Sequence, residues 1–90
     1  SSSNSFLGFD NVPVITKGEA LGLKNKGLVH IAKPRLTVKC TIENLPNSIE
    51  IDVTEMDTGA SRLVRDLDAI PNVTVLDADR VALVSIIKAK

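Results

Sequence analysis

Eight consecutive residues alternate in polarity, and this alternation constrains the fold more than any other stretch of the chain. Leu36, Val38, Cys40 and Ile42 interleave with Thr37, Lys39, Thr41 and Glu43. Successive side chains on a β-strand point to opposite faces, so a period of two predicts a strand with one wall in a core and the other in solvent. The pattern returns in Ile49, Ile51 and Val53, which alternate with Glu50, Asp52 and Thr54. Leu45-Pro46-Asn47-Ser48 lies between the two runs and carries turn chemistry. The reading that follows is an antiparallel pair with its charged wall in water.

The rest of the chain reads as further short strands split by breakers. Val12–Thr16 is a strand candidate, and Pro13, which has no amide donor, suits an edge or a strand start. Gly18, Gly22 and Gly27 mark a loop over 17–27. Leu28–Ile31 is apolar around His30, and Lys33-Pro34 interrupts regular structure. Met56–Gly59 reads as a turn, Ser61–Leu67 fits either a short strand or a helical face, and Val73–Val75 reads as a strand. Asp77–Asp79 is a polar turn. Val81–Ile87 is apolar on both faces, as expected of a central strand covered on both sides. This spacing predicts a mainly β fold, a small barrel or sandwich of short, mostly antiparallel strands with a long Gly-rich loop. The expected organisation is a flexible arm or linker over 1–11, serine-rich at its start, and one β domain over 12–90. The expected core is Val14, Leu36, Val38, Cys40, Ile42, Ile49, Ile51, Val53, Val75, Val81, Leu83, Val84 and Ile86.

Ninety residues suffice for one domain and not for two. Formal net charge is zero, yet residues 1–45 hold six Lys or Arg against three acids, and residues 46–90 hold five against eight. The asymmetry points one end of the molecule at an anionic partner, unless it is a dipolar surface without a partner. Cys40 is the one cysteine, so no intramolecular disulfide can form, which favours a reducing compartment. No apolar run approaches the roughly 20 residues of a membrane span.

Catalytic and metal chemistry find little to work with. His30 is the one histidine, and Cys40, on the inward row of its strand, reads as a small hydrophobe rather than a nucleophile. One His and one Cys cannot fill a tetrahedral zinc site. Asp77 and Asp79 resemble the start of a calcium loop, but Ala82 and Lys88 stand where the glycine and the closing acid would be. Glu50 and Asp52 share a strand face about 7 Å apart. A carbohydrate site would want aromatic surfaces to stack on, and the chain has no Trp or Tyr, so a solvated sheet face is the simpler reading. Gly18–Gly27 lacks the Gly-Lys-Ser/Thr ending of a P-loop and the strand–loop–helix setting of a dinucleotide site. Its backbone amides could still cradle a phosphate, with Lys24 and Lys26 at the tip as point charges.

Taken in order, Val12-Pro13-Val14, Gly18–Lys24, Gly27–His30, Leu36–Cys40 and Leu45–Gly59 resemble the C-terminal β domain of the long form of large-subunit ribosomal protein twenty-five, the CTC general stress protein family. Asp66-Leu67, Pro71-Asn72-Val73 and Val81–Ile87 fit the same domain, so the resemblance covers roughly 12–87. It implies a β-rich appendage at the central protuberance of the large subunit. It also implies that 5S ribosomal RNA is bound mainly by an N-terminal domain not contained in these residues. Lys24, Lys26, Lys33 and Arg35 are then candidates for secondary RNA contacts. The serine-rich start and the basic Arg62-Leu63-Val64-Arg65 depart from the family pattern, while Leu28–Arg35 resembles its proteobacterial or organellar side. The expectation is a non-catalytic constituent of the large ribosomal subunit, in bacterial cytoplasm or mitochondrial matrix. Its partners would be rRNA and neighbouring ribosomal proteins, with no cofactor, small-molecule substrate or membrane. The alternatives are a protein-interaction module that accepts a partner strand at the edge near Pro13, and a small hydrolase that places His30 beside an exposed nucleophile.

Overall fold

A computed structural model describes residues 8–89. In chain order the elements are β1 (Gly8–Lys17), a single helical turn α1 (Leu21–Lys24), β2 (Gly27–Ile31), β3 (Arg35–Cys40), β4 (Ile49–Asp52), β5 (Ser61–Leu63), β6 (Thr74–Val75) and β7 (Ala82–Lys88). Two 3-10 turns, Ile42–Asn44 and Val64–Asp66, follow β3 and β5. One sheet has the order β4-β1-β3-β6 and curls into a half-barrel, and the other has the order β2-β7-β5. The domain is mainly β, as the polarity pattern predicts.

The inward rows of the two sheets form one core. Val12 and Val14 of β1, Leu36, Val38 and Cys40 of β3, and Ile49 and Ile51 of β4 meet Leu83, Val84 and Ile86 of β7. Leu36, Val38, Leu83 and Val84 are fully buried. Two backbone bonds at the Lys33-Pro34 break stitch the sheets together. The Lys33 amide donates to the Leu83 carbonyl of β7 at 3.1 Å, and the Val14 amide of β1 donates to the Pro34 carbonyl at 2.7 Å. A residue pair that ends regular structure is thus the joint between layers.

Strand pairing differs from the sequence expectation. The two alternating strands do not pair, because β1 lies between them. β3 runs antiparallel to the first half of β1, from Gly8↔Cys40 to Pro13↔Arg35. β4 runs parallel to the second half, from Val14↔Ile49 to Lys17↔Asp52. A tight hairpin joins its strands through about two to five residues; Thr41–Ser48 is longer and carries the chain past β1. Pro13 sits where β1 changes partner, a position that tolerates a missing donor. Residues 8–13 have β3 on one side only, and β4 covers the other side from Val14 onward, so the edge expected near Pro13 is open along the first half of β1 and closed along the second. β1 also starts at Gly8, which puts four residues of the expected arm into a strand; the remainder of that arm, residues 1–7, lies outside the described residues.

The core differs at one residue of the leading pattern. Ile42 is 84% exposed. The alternation runs on past Cys40, but the strand stops there because Thr41 and Asn44 offer the backbone local partners. The Asn44 side-chain amide donates to Thr41 Oγ1 at 2.8 Å, and the Asn44 backbone amide to the Thr41 carbonyl at 3.0 Å. Val75 and Val81 are half-buried, while Val12, Ala20, Met56 and Val64 join the buried set. Ser61–Leu67 resolves its ambiguity by being both things in turn, strand β5 and then a 3-10 turn.

Candidate nucleic-acid interface

The Gly-rich segment is structured rather than open. Its amides are used within the protein: Gly22 donates to the Met56 carbonyl at 3.0 Å, Leu23 to Ala20 at 3.1 Å and Asn25 to Gly22 at 3.0 Å. These three amides are engaged within the protein, and the exposed lysine side chains are the groups the segment offers an anion. Lys24 ends α1, and Lys26 follows with a positive φ of 63°, the left-handed turn that starts β2. Lys88, at the end of β7, stands opposite Gly27 in the strand register and joins them. All three are exposed. Asp57 is the near acid, accepting from the Asn25 side chain at 3.3 Å.

Lys33 and Arg35 lie at the other end of β2, on the order of 15 Å away at the rise of a strand. The four expected contact residues are thus split into two places. Lys33 pairs with Asp77 at 3.0 Å, and the other oxygen of that carboxylate accepts the Thr37 amide at 3.1 Å. Asp77, read in sequence as half of a calcium-like motif, is engaged in holding the β2–β3 turn onto β3. Arg35 is exposed at the start of β3, with its side chain on the outward row.

His30 and Cys40 are not brought together. His30 is on the exposed side of β2 opposite Ser85, while Cys40 is in the buried row of the other sheet. Glu50 and Asp52 do share a surface, at the lip of a shallow cleft of about 190 Å³ that also takes in Asp66, Asp68 and Arg62. Asp52 is fully exposed, yet its carboxyl is held below the usual carboxylate range. The main cause is the hydroxyl of Thr54, which donates to it at 2.6 Å; the Thr54 amide adds a second bond at 2.9 Å, and Arg62 and Lys17 add smaller attractions. A depressed folded-state pKa contributes stability above the unfolded value, and that contribution fades as pH falls through the folded one. Thr54→Val removes the largest cause, so the Asp52 midpoint followed by carboxyl ¹³C NMR is expected to rise toward about 3.9. A midpoint unmoved by the substitution would contradict this assignment.

Sequence reasoning missed one surface. The outward rows of β1 and β3 pair Phe9 with Lys39, Asn11 with Thr37, and Pro13 with Arg35. Phe9 is 71% exposed, with the Lys39 ammonium 5.7 Å from its ring centroid. Lys39 was legible as part of the solvent wall of the alternating strand. Phe9 was not, because only the pairing of β1 with β3 puts it on that wall.

A family model and bacterial relatives resemble the chain. Residues 11–90 match the model described as ribosomal protein TL5, C-terminal domain. The large ribosomal subunit protein bL25 of Sulfurimonas denitrificans is 65% identical over 80 residues, which cover 89% of this chain and 45% of the relative. Proteins of the same name from Helicobacter hepaticus and Wolinella succinogenes are 57% and 54% identical over 79 residues, covering 88% of this chain and 44% of each relative. The chain thus spans under half the length of these relatives. All three are bacterial, and none lends support to the mitochondrial alternative.

Proposed function

The chain belongs to the family of the C-terminal domain of ribosomal protein TL5, and from that premise we propose that it is a non-catalytic structural constituent of the large ribosomal subunit. The observation that carries the proposal is the 65% identity over 80 residues to a large-subunit ribosomal protein. Its partners are rRNA and neighbouring ribosomal proteins, and its place is the ribosome in bacterial cytoplasm. Association with 5S rRNA belongs, on this reading, to the longer protein, whose other half lies outside the matched residues.

A formal net charge of zero suits a domain that is a secondary contact rather than the main RNA clamp. Lys24, Lys26, Lys33 and Arg35 are proposed as cationic contacts of unequal weight. Lys24, Lys26 and Arg35 present exposed charges, whereas Lys33 is half-buried and engaged by Asp77. The proposal is tested by expressing the tagged chain in a bacterium and fractionating the lysate on a sucrose gradient. Comigration with the large-subunit peak is the expected result. Recovery of the chain only at the top of the gradient would overturn it.

A further inference from the structure

We propose that the outward face of the β1–β3 pair is a seat for single-stranded RNA, with Phe9 stacking on a base and Arg35 and Lys39 holding backbone phosphates. This rests on the ribosomal reading above and names the surface that meets the RNA.

Three observations converge on this face. First, Phe9, the aromatic residue among those described, is 71% exposed near the start of β1, on the outward wall of the sheet instead of in the core. An exposed phenyl ring offers a flat apolar face on which a base can stack. Second, the charge on this wall is sorted. The rows Phe9–Lys39, Asn11–Thr37 and Pro13–Arg35 carry two cations and no acid, and Thr74 of β6 extends the Lys39 row. The acids of the same wall, Glu50 and Asp52, lie beyond Pro13 on the half where β1 pairs with β4. Asp10, between Phe9 and Asn11, falls on the alternate row of β1. Third, the spacing suits a strand of nucleic acid. Arg35 and Lys39 are about 13 Å apart along β3 at the rise of a strand, with the ring of Phe9 beside Lys39. Between them Thr37 Oγ1 and Asn11 Oδ1, joined at 3.1 Å, give a polar floor.

The Lys39 ammonium lies 5.7 Å from the centroid of the Phe9 ring. An exposed cation–π contact is weaker than a base–aromatic stack. The lysine stem therefore swings off to a phosphate as a base takes the ring face. Sheet walls that offer an exposed aromatic among cations bind single strands in this way because every base has a π-face and every linkage a charge.

The test measures binding of the 90-residue chain to deproteinised rRNA from large subunits, over a series of salt concentrations, alongside co-sedimentation with the intact subunits. All substitutions are on exposed or half-exposed side chains, and circular dichroism confirms that each variant is folded. Phe9→Ala is expected to weaken rRNA binding roughly tenfold or more. Arg35→Gln with Lys39→Gln is expected to weaken it and to lower the log–log salt slope by about 1.4. Lys17→Gln, which removes the same charge from the acidic half of the wall, is expected to change binding less than twofold. Equal rRNA affinity for wild type and for the Phe9 and Arg35/Lys39 variants would overturn the proposal and leave the ribosomal reading standing. Loss of subunit binding in Phe9→Ala at all salts, without affinity for bare rRNA, would overturn it in favour of a protein partner. Absence of wild-type binding to both intact subunits and rRNA would overturn the proposal together with the reading beneath it.

Discussion

Leu83→Ala is expected to lower the midpoint of thermal unfolding by on the order of 10–30 °C. Leu83 is fully buried on β7, the strand that β2 and β5 flank on either side. Its carbonyl also accepts the Lys33 amide that joins the two sheets. A strand held on both edges cannot move inward to close the cavity, so the substitution belongs at the costly end of its class, about 2–5 kcal/mol. In a domain of this size each kcal/mol moves the midpoint by about 4–8 °C. The whole stability of such a domain is on the order of 5–13 kcal/mol. Ile87→Ala on the same strand is the comparison. Ile87 is 44% exposed, and its truncation is expected to cost about 1 kcal/mol or less. Calorimetry that gave the two variants equal midpoints would contradict the assignment of β7 to the centre of the core.

Gly22→Ala is expected to destabilise the domain by roughly 1–3 kcal/mol, the cost typical of overpacking. The sign is the informative part, since Gly→Ala within a helix ordinarily stabilises by about 1 kcal/mol. A Cβ on Gly22 would lie 2.5 Å from Ile86 Cγ2 and 2.7 Å from the Thr58 amide nitrogen. Ile86 is buried in the core and Thr58 N is backbone, so neither can retreat cheaply. Gly22 therefore permits close approach: it lets α1 sit down on β7 while its amide bonds the Met56 carbonyl. A urea midpoint raised by the alanine would show that this contact is looser than described.

These two residues also show where sequence reasoning reached and where it stopped. Leu83 is legible because Val81–Ile87 is apolar on both faces, the pattern of a central strand covered on both of them. β3 and β4 were legible from their period of two. Their partner was not, since alternation fixes which face is buried but says nothing about which strand lies alongside. The ten-residue length of β1, long enough to serve β3 and then β4, decided the pairing. Gly22 reads as loop because it is one of three glycines over 17–27, whereas the close approach it permits is a tertiary fact. Ile42 reads as core because the pattern outlasts the strand by one repeat, and the Thr41–Asn44 bonds that end the strand are local. The candidate contacts were legible as residue types. Their division into two places, the capture of Lys33 by Asp77 and the placement of Phe9 beside Lys39 all depend on strand register.

Docking of this domain on the large ribosomal subunit, as proposed above, is tested by sedimentation of the purified chain with purified bacterial large subunits. The assay is run at about 50 mM and about 200 mM salt, where phosphate contacts differ most in strength. Pelleting with the subunits at the lower salt and clear weakening at the higher is the expected result. A chain that stays in the supernatant at both salts would contradict it.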